Sequence, residues 1–194
     1  MQEYIYIIVA QTGTNVAKAI KMFTKKPYNH VSLAGDSLLT EMYSFCRTYP
    51  RVPLPATFNR EIVGQGTLGL YDNIPCEIYE VPVTHDQKIR FETLMRHFSL
   101  FRNFYSYNVL GLLAMTLRIK WSRKTRFLCS QFVAYTFVKL GLKLEKPPCM
   151  YTPDDFRYFP GAQLIYRGEL NYWHSIESSR YLSREPEIQN RLSG

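Results

Sequence analysis

Between residues 3 and 9, Tyr4, Tyr6 and Ile8 alternate with Ile5, Ile7 and Val9, so a strand here would be apolar on both faces. Such a segment predicts a buried strand, and a chain that contains one must supply other elements to cover it. The 194 residues suffice for one domain with a real core and are too few for two comfortable ones. Hydrophobic residues make up 46% and charged residues 21%, a balance that excludes a disordered or fibrous chain.

Further elements follow from local signals. Val16, Ala19, Ile20 and Phe23 lie at helical spacing, with Lys25, Lys26 and Pro27 closing that helix. Tyr28–Ala34 and Leu38–Phe45 read as short strands flanking Gly35-Asp36-Ser37, where glycine suits a two-residue hairpin turn. Residues 47–73 hold Pro50, Pro53, Pro55, Gly64, Gly66 and Gly69 with weak periodicity, and read as a long excursion loop of the kind that walls a cleft. Cys76–Thr84 is a strand. Thr84 to Gln87 has the form of a capping box opening a helix through Ile89, Leu94, Phe98 and Phe101. Residues 105–119 are apolar and helical in part, and Ser122–Arg126 is a basic connector. Leu128–Leu140 is a strong helix stopped by Gly141. Thr152-Pro153-Asp154-Asp155 starts another helix, and Gln163–Arg167 is the last strand. Strands next to strands and helices apart from them indicate an α+β fold in one domain, residues 1–175, followed by a charged tail, residues 176–194.

The net charge of +8 favours anionic partners, but no nucleic-acid motif accompanies it, and a solvated basic surface is the expectation. Met1–Ala10 carries Glu3 and has neither a basic leader nor a small-residue cleavage site. The longest apolar stretch, Val109–Leu117, is far short of the roughly 18–20 residues of a membrane span. The expectation is a cytoplasmic protein. The four cysteines, Cys46, Cys76, Cys129 and Cys149, include no C-x-x-C pair, so neither a zinc site nor a dithiol motif is expected.

Two places carry chemistry. A two-residue loop at Gly35-Asp36 would set His30 opposite Glu41 on the neighbouring strand, where a carboxylate can fix the imidazole tautomer and stabilise the imidazolium. A three- or five-residue loop would slip that register. Cys129 opens the 128–140 helix, with Phe132, Val133, Thr136, Phe137 and Leu140 on its face. The partial positive charge of a helix N-terminus, together with Arg123, Lys124 and Arg126 upstream, favours a thiolate there. Free N–H groups of the first turn suit an oxyanion. His85, His97 and His174 have cap, helix-face and tail contexts and read as structural or exposed.

Tyr28-Asn29-His30-Val31-Ser32-Leu33-Ala34, followed much later by Phe127-Leu128-Cys129-Ser130-Gln131-Phe132-Val133, resembles the circularly permuted branch of the NlpC-type papain-like superfamily. That branch includes the YiiX/YebB-like proteins and relatives of lecithin retinol acyltransferase. Tyr105-Ser106-Tyr107-Asn108 and Tyr151 to Phe156 are similar to stretches in the same group. The resemblance spans most of residues 4–167. It implies a permuted papain-like fold, a central antiparallel sheet packed against helices, and a catalytic set of Cys129, His30 and Glu41. It also implies hydrolysis of peptide, N-acyl or amino-acid-derived amides without metal or organic cofactor. The acyltransferase relatives carry a histidine where Glu41 stands, which favours an amidase. Two other readings stay open: acyl transfer or thioester hydrolysis on a lipid, with the membrane surface as partner, and an inert module that binds an anion. The sequence is silent on substrate identity and oligomeric state.

Overall fold

The computed structural model describes residues 2–13, 26–49, 51–52, 54–117, 119–173, 175–177 and 179. The helix expected over residues 15–23 lies outside them, as do His174 and nearly all of the tail. The architecture is α+β. Six strands form one antiparallel sheet in the order β4-β3-β2-β1-β5-β8. They are β1 (Glu3–Ala10), β2 (His30–Ala34), β3 (Met42–Arg47), β4 (Ala56–Glu61), β5 (Pro75–Val83) and β8 (Gln163–Glu169). The short strands β6 (Ser106–Tyr107) and β7 (Arg126–Phe127) pair in parallel.

β1 is buried on both faces, as its composition requires. Ile5, Ile7 and Val9 face a core that includes Phe45, Phe58, Phe91, Phe98, Phe132 and Phe137. Ile8 and Ala10 face a smaller cluster with Ala34, Met42, Ile74 and Ile78. The larger core is covered by α1 (His85–Leu100) and α3 (Cys129–Lys139); α2 (Val109–Thr116) is shorter. In α1 the capping box forms as expected: the Gln87 N–H donates to Thr84 Oγ1 at 3.2 Å, and the Thr84 N–H donates to Gln87 Oε1 at 2.9 Å. α3 ends at Gly141, whose φ of +80° lets the Gly141 and Leu142 N–H groups reach back to Val138 and Phe137. The Thr152–Asp155 signal opens a 3-10 helix, Pro153–Tyr158.

Two expectations are corrected. Residues 47–73 are not all loop, because Ala56–Glu61 is the edge strand β4, with Ala56 and Phe58 pointing into the core. The β2–β3 connection is also not a two-residue turn. Leu33 pairs with Tyr43 and Ala34 with Met42, so residues 35–41 form the connection. Asp36 closes it: its Oδ1 accepts from Thr40 N and Oγ1 at 3.0 Å, and its carbonyl accepts from the Leu39 N–H. The sequence signal at Gly35 was a turn signal, but Asp36 builds a wider turn by bonding the backbone itself.

Because an L-residue at φ +80° is strained, Gly141→Ala is expected to lower the unfolding free energy by about 1 kcal/mol. Urea titration, read as a shift in midpoint with unchanged slope, checks it.

Candidate functional site

His30 is the first residue of β2, and the preceding residue anchors it. Asn29, 3% exposed, accepts from the Thr12 N–H at 3.0 Å and donates to the Thr12 carbonyl at 3.2 Å. The start of β2 is thereby tied to the end of β1, where His30 pairs with Ala10. The Ser44 hydroxyl donates to the Val31 carbonyl at 2.8 Å, holding β3 against the same segment.

With the register of β2 on β3 moved, Glu41 does not meet His30. Its carboxylate accepts from Tyr43 Oη at 2.6 Å and from Arg60 Nη1 at 2.6 Å, near the surface. The carboxylate on His30 is that of Glu61, the last residue of β4. His30 Nε2 donates to its two oxygens at 3.0 and 2.9 Å. The Ser32 hydroxyl donates to Glu61 Oε2 at 2.5 Å and lies 3.2 Å from His30 Nε2. His30 and Glu61 are almost closed to solvent, with side chains 12% and 5% exposed. Glu61 was missed because β4 was missed. The available signal was a glutamate at the end of a run in which Ala56 and Phe58 alternate with polar residues.

Cys129 opens α3 with Leu128 as its N-cap and is 3% exposed. Phe132, Val133, Phe137 and Leu140 share its face and are fully buried, so packing fixes the helix over the sheet. The thiol and His30 interact: burial alone would lower the His30 pKa, but the Glu61 charge, hydrogen bonding to Cys129 and to Glu61, and the Cys129 charge raise it to about 10. Since Nε2 is committed to Glu61, Nδ1 is the ring nitrogen left for the sulfur. Glu61 is lowered: burial opposes ionisation, and His30, Ser32 and Cys46 overcome it. Cys46 is held well above the ordinary thiol range by burial and then by the Glu61 charge, and Cys76 is pushed up to about 12 by burial first. Tyr107 also belongs to this neighbourhood. Burial, followed by the charges of Cys129 and Cys46, pushes its phenol well above the usual range and keeps it a neutral donor.

A cavity of about 180 Å³ adjoins the site and shares Glu61 and Cys46 with it. Arg47, Thr48, Ile62 and residues 65–68 also line it. Arg123, Lys124 and Arg126 are exposed, and so are His85, which pairs with Glu3 at 2.9 Å, and His97, which lies 3.2 Å from Tyr105 Oη. Among the described residues no group of three or more metal-ligating side chains could hold an ion, and no helix is long and apolar enough to cross a membrane. No family model matches the chain, and no curated protein matches it significantly.

The pair should be visible in the pH dependence of stability. The folded His30 pKa exceeds its ordinary 6.5, so its contribution is complete below pH 6.5 and lost as pH rises toward about 10. Glu61 is depressed below 4.5, so its contribution is present above that value and lost on acidification. Glu61→Gln is therefore expected to be most destabilising, relative to the parent, between pH 4.5 and 6.5, with the difference shrinking up to pH 10. Urea unfolding across pH 4–10 checks it.

Proposed function

We propose that the chain is a cysteine-dependent amide hydrolase with Cys129 as nucleophile, His30 as its proton partner and Glu61, in place of Glu41, as the residue that orients His30. The observation that carries this reading is the buried His30 imidazole bonded to the buried Glu61 carboxylate, with the Cys129 thiol at the head of α3 near enough to act on that imidazole. The resemblance to the permuted NlpC-type papain-like group supports it, and a permuted papain-like fold is the proposal for the architecture.

In the proposed reaction the thiol proton resides on His30, giving a thiolate and an imidazolium held by Glu61. The sulfur attacks the amide carbonyl carbon, and the carbonyl oxygen becomes an oxyanion. The Cys129 backbone N–H and the Tyr107 hydroxyl are the donors proposed for it. Collapse breaks the C–N bond, and the departing amine takes the proton from His30. Neutral His30 then removes a proton from water as the water attacks the thioester. The products are a carboxylic acid and the restored thiol. The substrates are peptide, N-acyl or amino-acid-derived amides, and no cofactor enters any step.

A second reading has its own observation. Val109, Leu110, Leu113 and Leu117 are each more than half exposed, close in sequence to the exposed Lys120, Arg123 and Lys124. An apolar strip beside cations suits an anionic lipid surface, on which the same thioester would serve acyl transfer. Flotation with anionic vesicles separates the two readings.

Iodoacetamide at pH 6.5 is expected to label Cys129 far faster than Cys46 or Cys76, whose thiols stay protonated. His30→Ala should slow that labelling at least tenfold. Cys129→Ala should abolish turnover of N-acyl amides, and Tyr107→Phe should lower kcat by about 10²–10³ with little change in KM. Equal labelling of the three cysteines in the native protein, or turnover that survives Cys129→Ala, would remove the amidase from consideration.

A further inference from the structure

The hydroxyl of Ser32 stands beside the proposed proton partner, and no step of the proposed reaction uses it. On β2, His30, Ser32 and Ala34 alternate with Val31 and Leu33, which enter the larger core. Ser32 pairs with Ile8 on β1, and its face of the sheet is lined by Ile8, Ala10, Ala34 and Met42. The residue is 3% exposed. A hydroxyl in so apolar a setting must find a protein partner. Its proton goes to Glu61 Oε2 at 2.5 Å, and its oxygen lies 3.2 Å from His30 Nε2.

The carboxylate is thereby held from two sides. Its oxygens lie 3.0 and 2.9 Å from His30 Nε2. One N–H cannot point squarely at both, so the imidazole alone leaves the carboxylate free to turn about it. The Ser32 hydroxyl pins Oε2 and removes that freedom.

The two donors also respond differently to proton movement. His30 loses its charge when Nδ1 gives its proton to the leaving amine. The serine hydroxyl does not titrate, so it stabilises ionised Glu61 both before and after that transfer. The other titratable groups around the pair are Cys129 on α3, Cys46 on β3 and Tyr107 on β6. Cys46 and Tyr107 stay protonated, so neither supplies or removes charge. Without the Ser32 donor, buried Glu61 would depend more on the imidazolium, and His30 would release its proton less readily.

We infer that Ser32 is a positioning residue: its hydroxyl orients the Glu61 carboxylate on His30 and steadies that buried charge while the imidazole gives up its proton. The consequence for turnover rests on the amidase reading. The effect on His30 is present in the resting protein and needs no substrate.

The experiment compares the full chain with its Ser32→Ala and Ser32→Thr variants. In the parent at pH 10 the His30 ring is expected to be about half protonated, which its nitrogen NMR shifts report. In Ser32→Ala the ring should be mostly imidazolium at the same pH. Ser32→Thr keeps the hydroxyl and should return it to the parent value. Turnover is read with N-acetylglycine para-nitroanilide, whose amine must leave with a proton, and with N-acetylglycine para-nitrophenyl ester, whose phenolate leaves without one. Ser32→Ala should slow the anilide by about tenfold, a fraction of what general acid catalysis contributes, and the ester far less. A folded Ser32→Ala protein with parental His30 protonation at pH 10 would overturn the assignment, and so would a folded Ser32→Thr protein that behaves like Ser32→Ala. Equal slowing of anilide and ester would leave Ser32 a purely structural residue. Failure of the amidase reading looks different: the change in His30 protonation would persist while the parent turns over neither probe.

Discussion

An ionised carboxylate placed under a protein surface persists only where fixed partners replace the water it has lost. Glu61 is that group here, 6% exposed, and its partners come from other strands. His30 and Ser32 lie on β2, Cys46 on β3, and Glu61 itself ends β4. The side of the sheet that carries them is otherwise lined by Ile8, Ala10, Ala34, Met42 and Ile78. A slip of one residue in either the β2–β3 or the β3–β4 register would turn one partner toward Phe45 and Phe58 on the opposite face. The polar site therefore exists only while both registers hold, and the apolar alternation of the same strands is what holds them.

The chain contains a second buried carboxylate, and comparing the two sharpens what is special about the first. Glu77, 1% exposed, is bonded by Arg157, Arg167 and Tyr79. Its cationic partners are guanidinium groups, which keep their proton at any ordinary pH. Such a cluster can tie β5, β8 and the 153–158 turn together, but it cannot pass a proton. Glu61 is paired with an imidazole, a cation that can lose its proton, and the pairing moves that loss up to about pH 10. The same electrostatic solution therefore meets permanently charged partners at Glu77 and a titratable one at Glu61.

How far the sequence could lead depended on the range of each signal. The both-face-apolar β1, the capping box at Thr84 and the glycine that ends α3 are local and were legible. His30 and Cys129 were legible as candidates for the same reason, since each sits at the head of an element with a clear pattern. The carboxylate was not. Its assignment to Glu41 rested on a short turn centred on Gly35-Asp36, and Asp36 closes a wider connection by accepting hydrogen bonds from Thr40 and Leu39. Glu61 is 31 residues from His30, at the end of an edge strand embedded among prolines and glycines. Its role depends on a strand-to-strand register, which local composition does not encode.

Two sulfurs stand near this carboxylate, at different removes from it. Cys46 meets Glu61 directly, so the negative charge and the burial of the site both favour its thiol. Cys129 meets His30, which Glu61 holds in its protonated form up to about pH 10. One carboxylate thus silences the sulfur beside it and supplies a cation to the sulfur one group further on. An imidazolium that stable is a poor base in the resting protein and a ready acid, so under the proposed reaction its main work falls on protonating the leaving amine. It acts as a base only after that proton has gone. The hydrolytic half of the cycle then depends on how firmly Glu61 draws a proton back to Nδ1.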